Sequence, residues 1–142
     1  MKTKSTGELM DELMKTADVC DYLKKNSSYM IKEELSVYLT NILEKKGFVK
    51  SAVIKKSELS EVMGYQIFSG VRNPSRDSLI SISVAMEFDI EETQEILKIA
   101  GFAELYPKIK RDSIIINGIA TKKSVAEINE SLYDNDEKTL NQ

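Results

Sequence analysis

The sequence predicts an all-α fold, and three observations carry the prediction. Apolar residues recur at helical spacing through most of the chain. Only two prolines and six glycines interrupt 142 residues, which permits long helices and short connections. Strict alternation of apolar and polar residues never persists long enough to require a strand. With 42% hydrophobic and 30% charged residues, the composition is that of a folded domain rather than a disordered chain.

The elements follow in order. Thr6 can cap a first helix through about Lys15, with Leu9, Met10, Leu13 and Met14 along one face. A short helix over residues 17–25 is expected to bury Val19, Cys20 and Leu23. Asn26, Ser27 and Ser28 compete with helical hydrogen bonding and mark a break. Residues 31–46 then place Leu35, Tyr38, Leu39, Ile42 and Leu43 on one stripe. Lys45 and Lys46 complement the dipole of that helix, and Gly47 stops it.

Two short helices come next, over residues 51–57 with Val53 and Ile54, and over residues 60–69 with Val62, Met63, Ile67 and Phe68. Ser51 and Ser60 are natural N-caps, and Gly70 is a natural stop. The loop Val71-Arg72-Asn73-Pro74 leads to Ser75, which caps a helix to about Glu87. Asp89-Ile90-Glu91-Glu92 reads as a capping box for a helix ending at Gly101. Leu105-Tyr106-Pro107 connects to a helix over about 112–121. A second capping box, Ser124 to Glu127, opens a last helix to about Tyr133, and the tail from Asp134 is expected to be loose. The expected organisation is an N-terminal helical extension over 1–28, a core over 29–104 and a C-terminal helical pair with a polar tail over 105–142.

Several function classes drop out. The chain has no histidine, which removes Ser-His-Asp and Cys-His catalysis and His-ligated zinc. A single cysteine, Cys20, allows neither an internal disulfide nor a thiolate metal site, and it reads as a packed thiol. Gly64 and Gly70 stand outside any phosphate-cradling loop. No enzyme, cofactor or metal is expected. The opening residues lack a secretory pattern, and the apolar stretches at 79–88 and 114–119 are too short to span a bilayer. A cytoplasmic protein without a membrane partner is the default expectation.

Charge is distributed unevenly. Residues 45–76 hold seven basic side chains (Lys45, Lys46, Lys50, Lys55, Lys56, Arg72 and Arg76) against Glu58 and Glu61. Residues 77–104 hold seven acidic side chains against Lys98 alone. A basic segment of this kind is the electrostatic footprint of a polyanion partner, despite the formal net charge of −3. Lys108, Lys110 and Arg111 are candidates to extend the basic surface.

The run GFVKSAVIKKSELSEVMGYQIFSGVRNPSRDSLISISVAMEFDI, residues 47–90, resembles the lambda-repressor-like (Xre-type) helix-turn-helix family. GVRNPS is the most specific part of the match. The resemblance implies a five-helix helix-turn-helix core and a DNA-binding transcriptional regulator. In that family one helix crosses the phosphate backbone and the next lies in the major groove.

Carried over position by position, Lys50, Ser51, Lys55, Lys56, Ser69, Arg72, Asn73 and Arg76 would meet phosphates. Ser60, Glu61, Tyr65 and Gln66 would face bases. Gln66 suits adenine, and Tyr65 suits a thymine methyl or a phosphate. Lys50 and Ser51 stand where the crossing helix usually opens with Gln, and Glu58 stands where the turn usually carries Gly. Gly64 lowers helix propensity by about 1 kcal/mol relative to Ala, so the second helix is expected to begin late or bend.

The implied partners are double-stranded DNA and a second copy of the chain, because two half-sites on one duplex raise effective concentration. The rival expectation is a protein–protein adaptor or anti-repressor on the same scaffold, which the acidic segment and Glu61 suit and which would engage a regulatory protein partner.

Overall fold

The computed structural model describes residues 4–26 and 35–141. They form nine helices and no strand: α1 Thr6–Lys15, α2 Val19–Lys25, α3 Leu35–Lys46, α4 Lys50–Ser57, α5 Glu61–Ser69, α6 Arg76–Ala85, α7 Ile90–Ile99, α8 Lys110–Ala120 and α9 Val125–Asp134. The chain divides into two units, one holding α1 and α2 and the other α3 to α9. The start expected for the third helix at residue 31 lies outside the described residues. None of the described helices is long and apolar enough to cross a membrane.

The first unit is held by polar contacts. Ser5, not Thr6, caps α1, its side chain accepting the Glu8 N–H at 3.1 Å. Asp18 caps α2 in the same way through Cys20. Asn26, buried at the end of α2, donates to the Glu12 carboxylate at 2.6 Å and accepts from Lys4 at 2.7 Å. The bonds that Glu12 accepts, from Asn26 first and Lys4 second, hold its carboxyl below the ordinary glutamate range. They also decide which face of α2 turns inward. Tyr22 and Asn26, four residues apart, are buried, while Val19, Cys20 and Leu23 are exposed. The expectation that Cys20 is a packed thiol is therefore corrected.

The second unit is built around α6. Seven of its ten residues are buried, because α4, α7 and α9 all pack against it. Leu79, Ile80 and Ile82 contribute the apolar surface. The buried hydroxyl of Ser83 donates to the Leu79 carbonyl at 2.8 Å, which satisfies it locally. One core joins these residues to Leu39 and Leu43 of α3, Ile54 of α4, Ile67 and Phe68 of α5, Ile96 and Leu97 of α7, Ile115 of α8, and Ile128 and Leu132 of α9. The C-terminal pair expected over 105–142 thus shares its core with α3 to α7.

Local signals place most helix ends. Ser60 caps α5, Ser75 caps α6, and both expected capping boxes form, Asp89 with Glu92 and Ser124 with Glu127. Two expectations are corrected. The N-cap of α4 is Val49 without a side-chain bond, so Ser51 lies inside the helix. The tail is not loose: Leu140 is buried, its N–H donates to Asn129 at 2.8 Å, and Arg111 donates to the carbonyls of Lys138 and Thr139.

Two Arg–Asp pairs join α6 to α8. Adjacent Arg76 and Asp77 on α6 meet adjacent Asp112 and Arg111 on α8, each pair bidentate at 2.9–3.2 Å. Bidentate geometry makes these pairs directional as well as strong. They fix the start of α6, directly after the 71–75 loop, against the start of α8.

Candidate nucleic-acid interface

The pair α4–α5 is set by a close crossing. Gly64, inside α5, is buried against Ile54 of α4. A Cβ built on it would stand 2.5 Å from Ile54 Cγ2 and 2.9 Å from Cγ1. Only a residue without a side chain lets the two helices approach this closely. The late start expected for this helix does not occur, since α5 begins at Glu61, directly after its Ser60 cap. The turn before it uses Glu58 as a left-handed residue at φ 61°, the conformation that glycine would adopt at lower cost. Ser57 supports that turn: its hydroxyl donates to the Ile54 carbonyl at 2.6 Å and accepts the Leu59 N–H at 3.3 Å.

With Gly64, Ile67 and Phe68 turned inward, α5 presents Glu61, Val62, Tyr65 and Ser69 outward, with Gln66 at the margin. Val62, expected among the apolar residues of the helix, is 67% exposed, and Tyr65 is 45% exposed. Val62 is exposed because Gly64 is buried against Ile54, a contact that no local sequence signal announces. Two residues back from an inward glycine, a helical side chain points away from the contact. At the head of the helix the Ser60 oxygen accepts the Met63 N–H at 3.1 Å, leaving its hydroxyl proton able to donate.

Cations gather at the far end of α5. Lys50 places its ammonium 5.9 Å from the centroid of the Phe68 ring. Arg72 bonds back to Gln66 twice, backbone N–H to carbonyl at 3.2 Å and Nε to Oε1 at 2.9 Å. The second bond holds the Gln66 amide in one orientation and leaves its NH2 group to donate outward. The Nη groups of Arg72 have no partner among the described residues. Ser51, Ser69 and Asn73 are exposed, with the Ser69 hydroxyl donating to the Gln66 carbonyl at 3.1 Å. The first-turn amides of α4 carry no side-chain cap, which leaves them available to an anion.

The remaining expected phosphate residues lie elsewhere. Lys55 and Lys56, at the last turn of α4, line a groove of about 1300 Å³ with Lys122, Lys123, Glu87 and Glu91. Arg76 is committed to the fold. Its guanidinium donates to both Asp112 oxygens and to the carbonyls of Ala103 and Glu104, four bonds at 2.9–3.2 Å. With five N–H donors in all, little capacity remains for a phosphate. One Nη1 N–H of Arg76 is left for the phosphate contact expected of it. Its partner lies 36 residues along the chain, which no local pattern announces. Of the candidate extensions, Arg111 is likewise bound to Asp77, and Lys110 donates to the Asn135 carbonyl at 2.7 Å.

The acidity of residues 77–104 is partly compensated within the fold. Asp77 pairs with Arg111, Glu92 with Lys46, and Glu104 with Lys98. Among the described residues no group of three or more potential ligands could hold a metal ion. Compared with known proteins, the chain matches no family model, no curated protein and no solved structure.

Proposed function

We propose that α4 and α5 form a helix-turn-helix unit and that the chain is a DNA-binding transcriptional regulator. The observation that carries this reading is the arrangement around α5. The outward face carries Gln66 with its amide held by Arg72, and Lys50, at the uncapped start of α4, places its ammonium over Phe68 near the end of α5. A helix presented in this way suits the major groove, and these donors suit phosphates. Ser60, Glu61, Val62, Tyr65 and Gln66 face the bases, and Lys50, Ser51, Ser69, Arg72 and Asn73 hold the backbone. Binding as a homodimer places two such helices on one duplex, because a single helix buries too little surface for tight specific binding.

A second reading, a protein-docking module on the same scaffold, is favoured by one observation. Val62, Tyr65 and Val71, the last 77% exposed, put apolar surface within the same segment as the cations. Binding to random-sequence duplex across a salt series separates the two. A DNA binder loses affinity steeply as salt rises, and an Arg72→Glu variant loses it throughout. No detectable binding at about 50 mM salt, where phosphate contacts are strong, would overturn the DNA reading.

A further inference from the structure

We infer that the protein selects its sites through thymine methyl groups, with Val62 as a specificity-determining residue and Tyr65 as its neighbour. The inference rests on the DNA-binding reading and goes beyond it by naming what the helix reads.

Val62 is the second residue of α5 and is 67% exposed, although it is aliphatic and follows a well-formed cap. Tyr65 lies one turn further along the same face and is 45% exposed. The Val62 side chain neither donates nor accepts a hydrogen bond. In a major groove the one apolar feature that a base pair offers is the C5 methyl of thymine. An isopropyl group early in such a helix therefore has one favourable counterpart there. Over any other base edge it covers a polar atom without pairing it, which carries a desolvation penalty.

Gln66 supports the same preference. Its Oε1 accepts from Arg72 Nε at 2.9 Å, which fixes the amide plane and leaves one acceptor site and both NH2 protons for a base. That remainder matches adenine, the partner of thymine. Charge favours duplex DNA as the occupant of this end of α5, since Arg72 bonds Gln66 on the outward face and Lys50 lies over the Phe68 ring of the same helix.

The test uses the full chain. Bound sequences are first selected from a random duplex pool. Each thymine of a selected site is then replaced singly by deoxyuracil, which removes the methyl and leaves base pairing unchanged. Affinity is read by fluorescence anisotropy at fixed salt. The expected result is thymine enrichment at neighbouring positions and a loss of about fourfold for each contacted methyl removed, the factor that burial of one methylene-sized group supplies. Val62→Ser should bind thymine duplex more weakly and lose its sensitivity to uracil at one of those positions. Val62 is exposed, so this variant should keep the wild-type Tm.

Equal affinity for thymine and uracil duplexes, with salt-dependent binding intact, would overturn this inference and leave the DNA-binding reading standing. Uracil sensitivity retained in Val62→Ser would remove Val62 as the reader. No binding to any duplex at low salt would overturn both and point to a protein partner on this face.

Discussion

Replacing Gly64 by alanine sets two physical effects against each other. Helix propensity favours the change by about 1 kcal/mol. Packing opposes it. The new Cβ would stand 2.5 Å from Ile54 Cγ2 and 2.9 Å from Cγ1, and Ile54 is only 1% exposed. Both γ carbons branch from the same stiff Cβ, so rotating one away from the added methyl does not clear the other. The helices must separate, and overpacking of this kind costs about 1–3 kcal/mol, with contacts this short at the upper end. The net loss should be about 2 kcal/mol. For a chain of this size that lowers Tm by roughly 4–8 °C, measured by circular dichroism. A double-mutant cycle with Ile54→Ala isolates the contact. Ile54→Ala alone should cost about 2–5 kcal/mol, and adding Gly64→Ala should then cost little, because the γ carbons are gone. A Gly64→Ala variant more stable than wild type would refute the close crossing, because propensity alone would then account for the change.

Asp112→Asn leaves Arg76 facing an amide that presents donors to it, and should destabilise by about 2 kcal/mol, less than for a fully buried pair because Arg76 keeps some solvent contact. Thermal denaturation checks this, and an unchanged Tm would mean that the Arg76–Asp112 pair contributes nothing. Leu140→Ala should cost about 2 kcal/mol, the low end for a buried leucine. A truncation after Lys138 should behave likewise in urea denaturation. Acid should fray the start of α9. The Ser124 backbone N–H, then its hydroxyl, hold the Glu127 carboxyl below the ordinary glutamate range. The stabilisation from a depressed carboxyl is complete above the unfolded value, about 4.3, and is lost as pH falls through the folded one. NMR titration should show the Glu127 carboxyl carbon titrating below that of a solvated glutamate, and Ser124→Ala should move it back toward the ordinary range.

Most sequence signals that act within one turn are legible in this chain, although Ser5 and Val49 take the cap positions expected of Thr6 and Ser51. Gly47, Gly70 and Gly101 end their helices with φ of 73–84°, and the two capping boxes form where Asp89 and Ser124 announce them. Features that need a distant partner are not legible. Gly64 looks like a weak point in a helix until Ile54 lies beside it, and Gly118 looks the same until Ile128 packs on it, 2.5 Å from where a Cβ would stand. Arg76 looks like a free cation until Asp112 meets it from 36 residues away. The face of α2 that turns inward depends on Glu12 and Asn26, not on the apolar pattern of α2 itself. The candidate interface divides along the same line. Arg72 and Gln66 are brought together by the end of one helix, with Lys50 over Phe68 of the same helix, whereas Lys55 and Lys56 face the groove shared with Lys122 and Lys123.

In the proposed mode of binding, the outward face of α5, with the start of α4, meets the duplex. Titrating a duplex into isotope-labelled protein and following backbone amide shifts tests it residue by residue. The largest changes are expected at Lys50, Ser51 and Ala52, at residues 60–66, and at Arg72 and Asn73. Changes confined to the groove of Lys55, Lys56, Lys122 and Lys123, with α5 unaffected, would contradict it.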